Sequence, residues 1–182
     1  MGKGIILRKR LCRWLYYHFA FYLPISHHYG LLGRFGKWLR YRLCRIVFAY
    51  CGTNVNIERG ATFGVGFDVR IGDNSGLGIN CVIPDGSVIG NDVMMGPNCY
   101  IHARNHRFDR IDIPMRVQGY SESKPCTIED DVWIGRDVTI MVGRHISKGT
   151  IIAANSVVTK DFPPYSIIGG NPATLIRTRE IK

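Results

Sequence analysis

The side chains best suited to moving a proton near neutral pH are histidines, whose unperturbed pKa is about 6.5. The chain of 182 residues has six. His18, His27 and His28 lie in an apolar, basic N-terminal segment, and His145 occupies a turn. His102 and His106 open the polar stretch HARNHRFDRIDIPMRVQGYSESKPCT, residues 102–127. His106 stands between Asn105 and Arg107, with Asp109 three residues on. An imidazole there can act as a general base, taking a proton from a weak nucleophile near neutral pH. The plainer reading is a solvent-facing histidine in a polar loop. Metal binding is the third, but a zinc site needs three histidines at a fitting spacing. His102 and His106 are four apart and His145 is distant, so no metal is expected.

The elements that must hold this loop announce themselves by a count of six. Val65, Ile71, Leu77, Ile83, Ile89, Met95 and Ile101 recur at that spacing before it, and Ile128, Ile134, Ile140, Ile146, Ile152 and Val158 after it. Small or β-branched residues stand four places on, at Val69, Ser75, Cys81, Ser87, Val93, Cys99, Val132, Val138, Thr150 and Ser156. Six fits neither strand alternation nor a helix. It is the period of a parallel β-helix, in which each hexapeptide forms one face and a turn, three faces close a coil of about 18 residues, and coils stack at about 4.8 Å. The aliphatic residue fills the interior, and the glycines that often follow it (Gly66, Gly72, Gly78, Gly90, Gly96, Gly135) would permit the turn. Cys81 and Cys99 then lie one above the other as small interior residues; a disulfide there is the alternative. The reading gives about five coils over residues 52–161, interrupted once by the loop 102–127. A long polar interruption of a solenoid is where function is first sought.

Charge divides the chain. Residues 1–57 hold ten Lys or Arg and no acid, whereas from Glu58 onward acids and bases cancel. The net charge of +10 therefore belongs to residues 1–51, an extension read as two helices, about 5–23 and 31–50. Leu7, Leu11, Trp14, Leu15, Phe19 and Tyr22 form one apolar face; in the second helix Phe35, Trp38, Leu39, Leu43, Ile46 and Val47 face Arg34, Lys37, Arg40, Arg42 and Arg45. The apolar run from Trp14 to Ile25 is too short to span a bilayer, and no small-residue cleavage site follows it. Such a segment suits peripheral contact with an anionic membrane through residues 1–50, or docking of its apolar face on the solenoid or a neighbouring subunit. Nucleic acid is disfavoured by the apolar character and the lack of a binding motif. Six cysteines without a CxxC pattern favour a reducing compartment, so the expected location is cytoplasmic, with contact at the inner face of the membrane. Residues 162–182 read as a basic tail crossing the last coil after Phe162-Pro163-Pro164 stops the ladder.

The stretch VWIGRDVTIMVGRHISKGTIIAANSVVTKDFPPYSIIGGNPATLIR resembles the closing half of hexapeptide-repeat O-acetyltransferases, among them the maltose and galactoside acetyltransferases and enzymes that acetylate capsule or lipopolysaccharide sugars. ARNHRFD resembles the family's loop, which places the catalytic histidine just before a short segment ending in Asp. The resemblance covers about residues 52–177. It implies a left-handed parallel β-helix, a homotrimer with active sites between subunits, and direct transfer of an acetyl group from acetyl-CoA to a hydroxyl of a sugar or glycan, in surface polysaccharide biosynthesis. It assigns His106 as the base, with His102 as runner-up. It places Asn80 and Asp85 near the acceptor, with Asp109 beside them. For the coenzyme it implies Trp133 lining the groove, Arg136 after the glycine of VWIG, backbone contacts at Ala154, Thr159 and Lys160 near the nucleotide, and Arg177 on phosphate, assisted by Arg179. Turn-forming Asn and Asp, ordinary packing of Trp133 and solvated charge at Lys160 and Arg177 are the plainer readings. Two residues depart from the pattern: Arg136 stands where the family commonly has a small residue, and Arg144 where the repeat wants a small inward one, so that corner must open. The rival functions are N-acetylation of an amino sugar and a non-catalytic, membrane-held scaffold.

Overall fold

The computed structural model describes residues 2–27 and 30–180. His28, Ile181 and Lys182 lie outside that range. A helix α1 (Lys3–His18), a 3-10 turn (Ala20–Tyr22) and a helix α2 (Gly30–Val47) lead into a stack of two-residue strands. The first face stacks Tyr50–Cys51, Arg70–Ile71, Val88–Ile89, Thr127–Ile128 and His145–Ile146 in parallel register. The second holds Asn56–Ile57 and Gly76–Leu77, then Met94–Met95, Trp133–Ile134, Ile151–Ile152 and Ser166–Gly170. The third carries Thr62, Val82, Tyr100–Ile101, Thr139–Ile140 and Val157–Val158. The chain runs first face, second face, third face, turning three edges per coil.

The interior follows the period. Ile71, Leu77, Ile83, Ile89, Ile101, Ile128, Ile134, Ile140, Ile146, Ile152 and Val158 are buried, and so are all ten small residues four places on. Two ladder residues are exceptions: Met95 is only half-buried, and Val65 is 41% exposed, Phe63 filling the interior in its place. The first coil is two residues longer than a regular coil: Thr53 bonds to Asp73 across 20 positions, whereas Asp73 bonds to Asn91 across 18. Val65 sits in this enlarged corner, between Gly64 and Gly66 at positive φ.

The turns are made by a different residue than the glycine count suggests. Asn54, Asn74, Asn80, Asp92, Asn98, Asp131, Asp137 and Asn155 hold the left-handed conformation, which short polar side chains tolerate by bonding locally. They also stack: Asn80 Nδ2 donates to Asn98 Oδ1 and Asn98 Nδ2 to Asp137 Oδ1. Most of the glycines after the aliphatic residue are needed for clearance instead. A Cβ on Gly96 would meet the Arg136 nitrogen at 2.7 Å and the Gly135 carbonyl carbon at 2.8 Å. Gly96→Ala must therefore spread two coils, at a cost of roughly 1–3 kcal/mol; thermal melting should show it, and an unchanged melting temperature would show that the stack yields freely.

The N-terminal segment docks on the first coil, but not by the face its apolar spacing picks out. Cys12, Tyr16 and Ala20 are buried, whereas Leu7, Leu11, Trp14, Phe19 and Tyr22 are exposed. Tyr16 donates its hydroxyl proton to the Ala61 carbonyl at 2.7 Å, and Tyr16 and Tyr17 pack on Phe63. Arg40, grouped by sequence with the polar face of the second helix, is fully buried. Gly36 leaves it room: a Cβ there would lie 3.1 Å from Arg40 Nη1. Helix α2 stops at Val47 and the stacking starts at Tyr50, so the coils begin before residue 52. They also continue past Asp161. Phe162 bridges to Ile146, Ile168 is buried on the second face, and Ala173–Thr178 then turns back antiparallel on Ser166–Gly170. Among the described residues no helix is long and apolar enough to cross a membrane.

Candidate active site

The loop leaves the third edge. Equivalent residues across it, Asn98 and Asp137, are 39 positions apart, against 18 for Asn74 and Asp92 within a block. Its two arms pair with each other. His106 bridges Tyr120 antiparallel, Arg107 donates to the Gly119 carbonyl and Ser121 to the Asn105 carbonyl. The His106 ring lies 4.3 Å from the Tyr120 ring, centroid to centroid, and the Arg104 guanidinium sits 5.6 Å over the other partner of that pair, Tyr120. Sequence reasoning missed Tyr120; its only signal was an aromatic following a glycine in a polar stretch. Asp109 shares a cleft of about 430 Å³ with His106, but no hydrogen bond joins its carboxylate to the imidazole among the described residues.

Arg144, Arg107 and Lys124 line the same cleft, together with Asp109 and Glu122. The corner carrying Arg144 does open. Gly143 takes positive φ, and the guanidinium bonds the carbonyls of Val142 and Thr159 while pairing with Asp161 at 3.4 Å. It thereby joins the cleft without filling the interior.

His102 faces a different space, a cleft of about 560 Å³ with Asp85, Tyr17 and Arg104. Asp85 already has backbone partners: it accepts the N–H groups of Val65 and Gly66 and so holds the enlarged corner of the first coil. Asn80 is committed to the corner stack. His145 pairs with Glu129 at 2.8 Å; the Lys148 N–H and then His145 hold that carboxyl below the usual carboxylate range. Among the described residues no three His, Cys, Asp or Glu side chains gather as a metal site.

The remaining sequence-assigned residues divide between edges of the prism. Thr159 and Lys160 lie on the third edge, one coil beyond Arg144, with the Lys160 ammonium 5.4 Å over the Phe162 ring. Trp133, half exposed, stands on the second face, and Arg136 and Ala154 turn the second edge, where Gly135 lets adjacent coils touch. Arg136 is tied to Asp137 at 2.9 Å; Asn98 and then Arg136 hold that carboxyl below its usual range. Arg177 is exposed on the returning strand, while Arg179 bonds Asp131 and the Gly149 carbonyl on the first edge. One copy of the chain thus separates His106 from Trp133 and Ala154 by a whole face.

Two family models match: one described as bacterial transferase hexapeptide (six repeats), over residues 68–103, and one as hexapeptide repeat of succinyl-transferase, over residues 125–160. The galactoside O-acetyltransferase of Escherichia coli is 34% identical over 140 residues, 76% of this chain and 68% of that protein. The crystal structure of a maltose O-acetyltransferase from Clostridium difficile 630 covers 99% of this chain and 90% of its own, with a TM-score of 0.74 and 28% identity. A hexapeptide-repeat acetyltransferase from Vibrio cholerae, solved in complex with acetyl coenzyme A, matches at a TM-score of 0.74 and 28% identity, covering 98% of this chain and 89% of that one. The shared fold is a left-handed parallel β-helix.

Proposed function

The chain belongs to the hexapeptide-repeat acetyltransferase family, and from that premise we propose that it acetylates a sugar hydroxyl in a crevice between two copies of a homotrimer. It is an acetyl-CoA-dependent acyltransferase. The observation that carries the shared crevice is the division of the candidate residues between edges: a neighbouring copy is needed to bring Trp133 and Ala154 to His106. An alcohol is a poor nucleophile near neutral pH. His106 takes its proton as the oxygen attacks the thioester carbonyl, forming the C–O bond. The tetrahedral oxyanion collapses, the C–S bond breaks, and the imidazolium returns the proton to the leaving thiolate. Tyr120 holds the ring's plane, and Asn80, Asp85 and Asp109 are the acceptor-side candidates. Trp133 lines the pantetheine groove, with Arg136 and the Ala154 backbone beside it. Thr159, Lys160 and Arg177 supply polar and cationic contacts to the nucleotide and phosphates.

The acceptor in this reading is a sugar of a surface polysaccharide, met on the cytoplasmic side. A CoA-release assay with galactoside, maltose and amino-sugar acceptors tests it: hydroxyl acceptors should turn over, and turnover confined to amines would replace O- by N-acetylation. Trp133→Ala should raise the KM for acetyl-CoA roughly tenfold, as expected for losing a large aromatic contact. An unchanged KM would remove Trp133 and the second face from the coenzyme site.

A further inference from the structure

We propose that the outer face of the α1–α2 hairpin is a docking surface for an anionic lipid bilayer. Composition left two readings of this segment, docking on the solenoid or on a membrane, and the structure shows that the hairpin has a face for each. The inner face is spent: Cys12, Tyr16 and Ala20 of the first arm, and Arg40, Leu43, Cys44 and Val47 of the second, are buried on each other and on the first coil. The outer face repeats one pattern in both helices. Leu7, Leu11 and Trp14 on α1, and Leu31, Phe35 and Trp38 on α2, each stand at i, i+4 and i+7, and every one is between 43% and 82% exposed. Three and four residues is the spacing of neighbours on one helix face, so each helix shows solvent a continuous apolar stripe ending in a tryptophan.

Cations flank both stripes. Arg8, Arg10, Arg34, Arg42 and Arg45 are exposed, and none forms an ion pair among the described residues. No acid precedes Glu58, so nothing on the segment neutralises them. Apolar stripes with aromatic ends and flanking arginines match the headgroup boundary of an anionic bilayer. A second copy of the hairpin would set cation against cation, which argues against the segment as its own partner. Among the described residues no helix is long and apolar enough to cross a bilayer, and the contact proposed is a peripheral one. It is independent of the chemistry assigned to His106, since it would hold whatever the acceptor.

The test is co-sedimentation of the full chain with vesicles of phosphatidylcholine containing phosphatidylserine, against phosphatidylcholine alone. Binding should need the anionic lipid and weaken with salt. The triple variant Leu7→Gln, Leu11→Gln, Trp14→Gln should partition at least tenfold more weakly, with melting temperature and CoA release unchanged. Arg8→Gln with Arg34→Gln should lessen the salt dependence while leaving the fold intact. No binding to anionic vesicles, or equal binding by the triple variant, overturns the proposal. So does a triple variant whose sedimentation mass falls, because the stripe is then covered by another copy of the chain.

Discussion

His106→Ala should lower turnover by about 10²–10⁴-fold, the usual contribution of a positioned general base, and leave acetyl-CoA affinity as it was. The affinity is expected to survive because the coenzyme contacts are assigned to other groups, Trp133, Arg136, Thr159, Lys160, Arg177 and the Ala154 backbone, and none of them is His106. A base acts on the acceptor's proton and on the transition state, so kcat and kcat/KM should fall together. Equilibrium binding of acetyl-CoA to the variant, alongside CoA release, checks both halves. Loss of binding would make His106 part of the coenzyme site, and unchanged turnover would return it to the class of solvent-facing histidines. Asn in place of the same residue keeps a hydrogen-bonding group without a titratable one; it should fail as Ala fails.

Arg40→Leu should remove about 3–5 kcal/mol of stability, the range for breaking a buried pair at one end, which for a chain of this size is roughly 6–20 °C in melting temperature. Arg40 is fully buried and ties three segments together. Its Nε donates to the Ile57 carbonyl at 2.6 Å, and Nη1 to the carbonyls of Leu23 and Pro24 at 3.1 and 3.2 Å. Nη2 stands 3.6 Å from Glu58 Oε2, an ion pair rather than a hydrogen bond. Burial alone pushes the guanidinium's pKa down and the carboxyl's up. For Glu58 the Ser26 and Asn56 hydrogen bonds and the Arg40 charge outweigh burial, and its pKa falls below the ordinary value. Because the native pKa is the lower one, the pair's stabilisation is complete above the unfolded carboxylate value of about 4.3 and is lost as acid protonates Glu58 in the folded state. Urea midpoints of the parent should therefore drop between about pH 4.3 and more acid conditions, and those of Glu58→Gln should drop less. Removing both charges as Arg40→Leu with Glu58→Leu should restore part of the loss; full additivity of the two single changes would show that they do not act as a pair.

Much of this molecule is legible without coordinates, and the reason is geometric. A solenoid repeats one backbone unit, so each interior position returns after a fixed number of residues, and the ladder from Ile71 to Val158 states the coil and its three faces by count alone. The same count located the break that holds His106, because an insertion shows up as lost phase. Composition also showed, without any structure, that all excess charge belongs to the first 57 residues. Tertiary structure decided what no local pattern encodes. Asp85 proved to serve the Val65–Gly66 corner, a partnership across 20 positions. Tyr120 met His106 through pairing of two loop arms whose register depends on where both are anchored. The corner asparagines took the turns and left most of the glycines to clearance, which is visible only once coils are stacked. The N-terminal helices buried Tyr16 and Arg40 and turned Leu7, Leu11 and Trp14 outward, because a face is buried by what it packs against, and periodicity says only that a face exists.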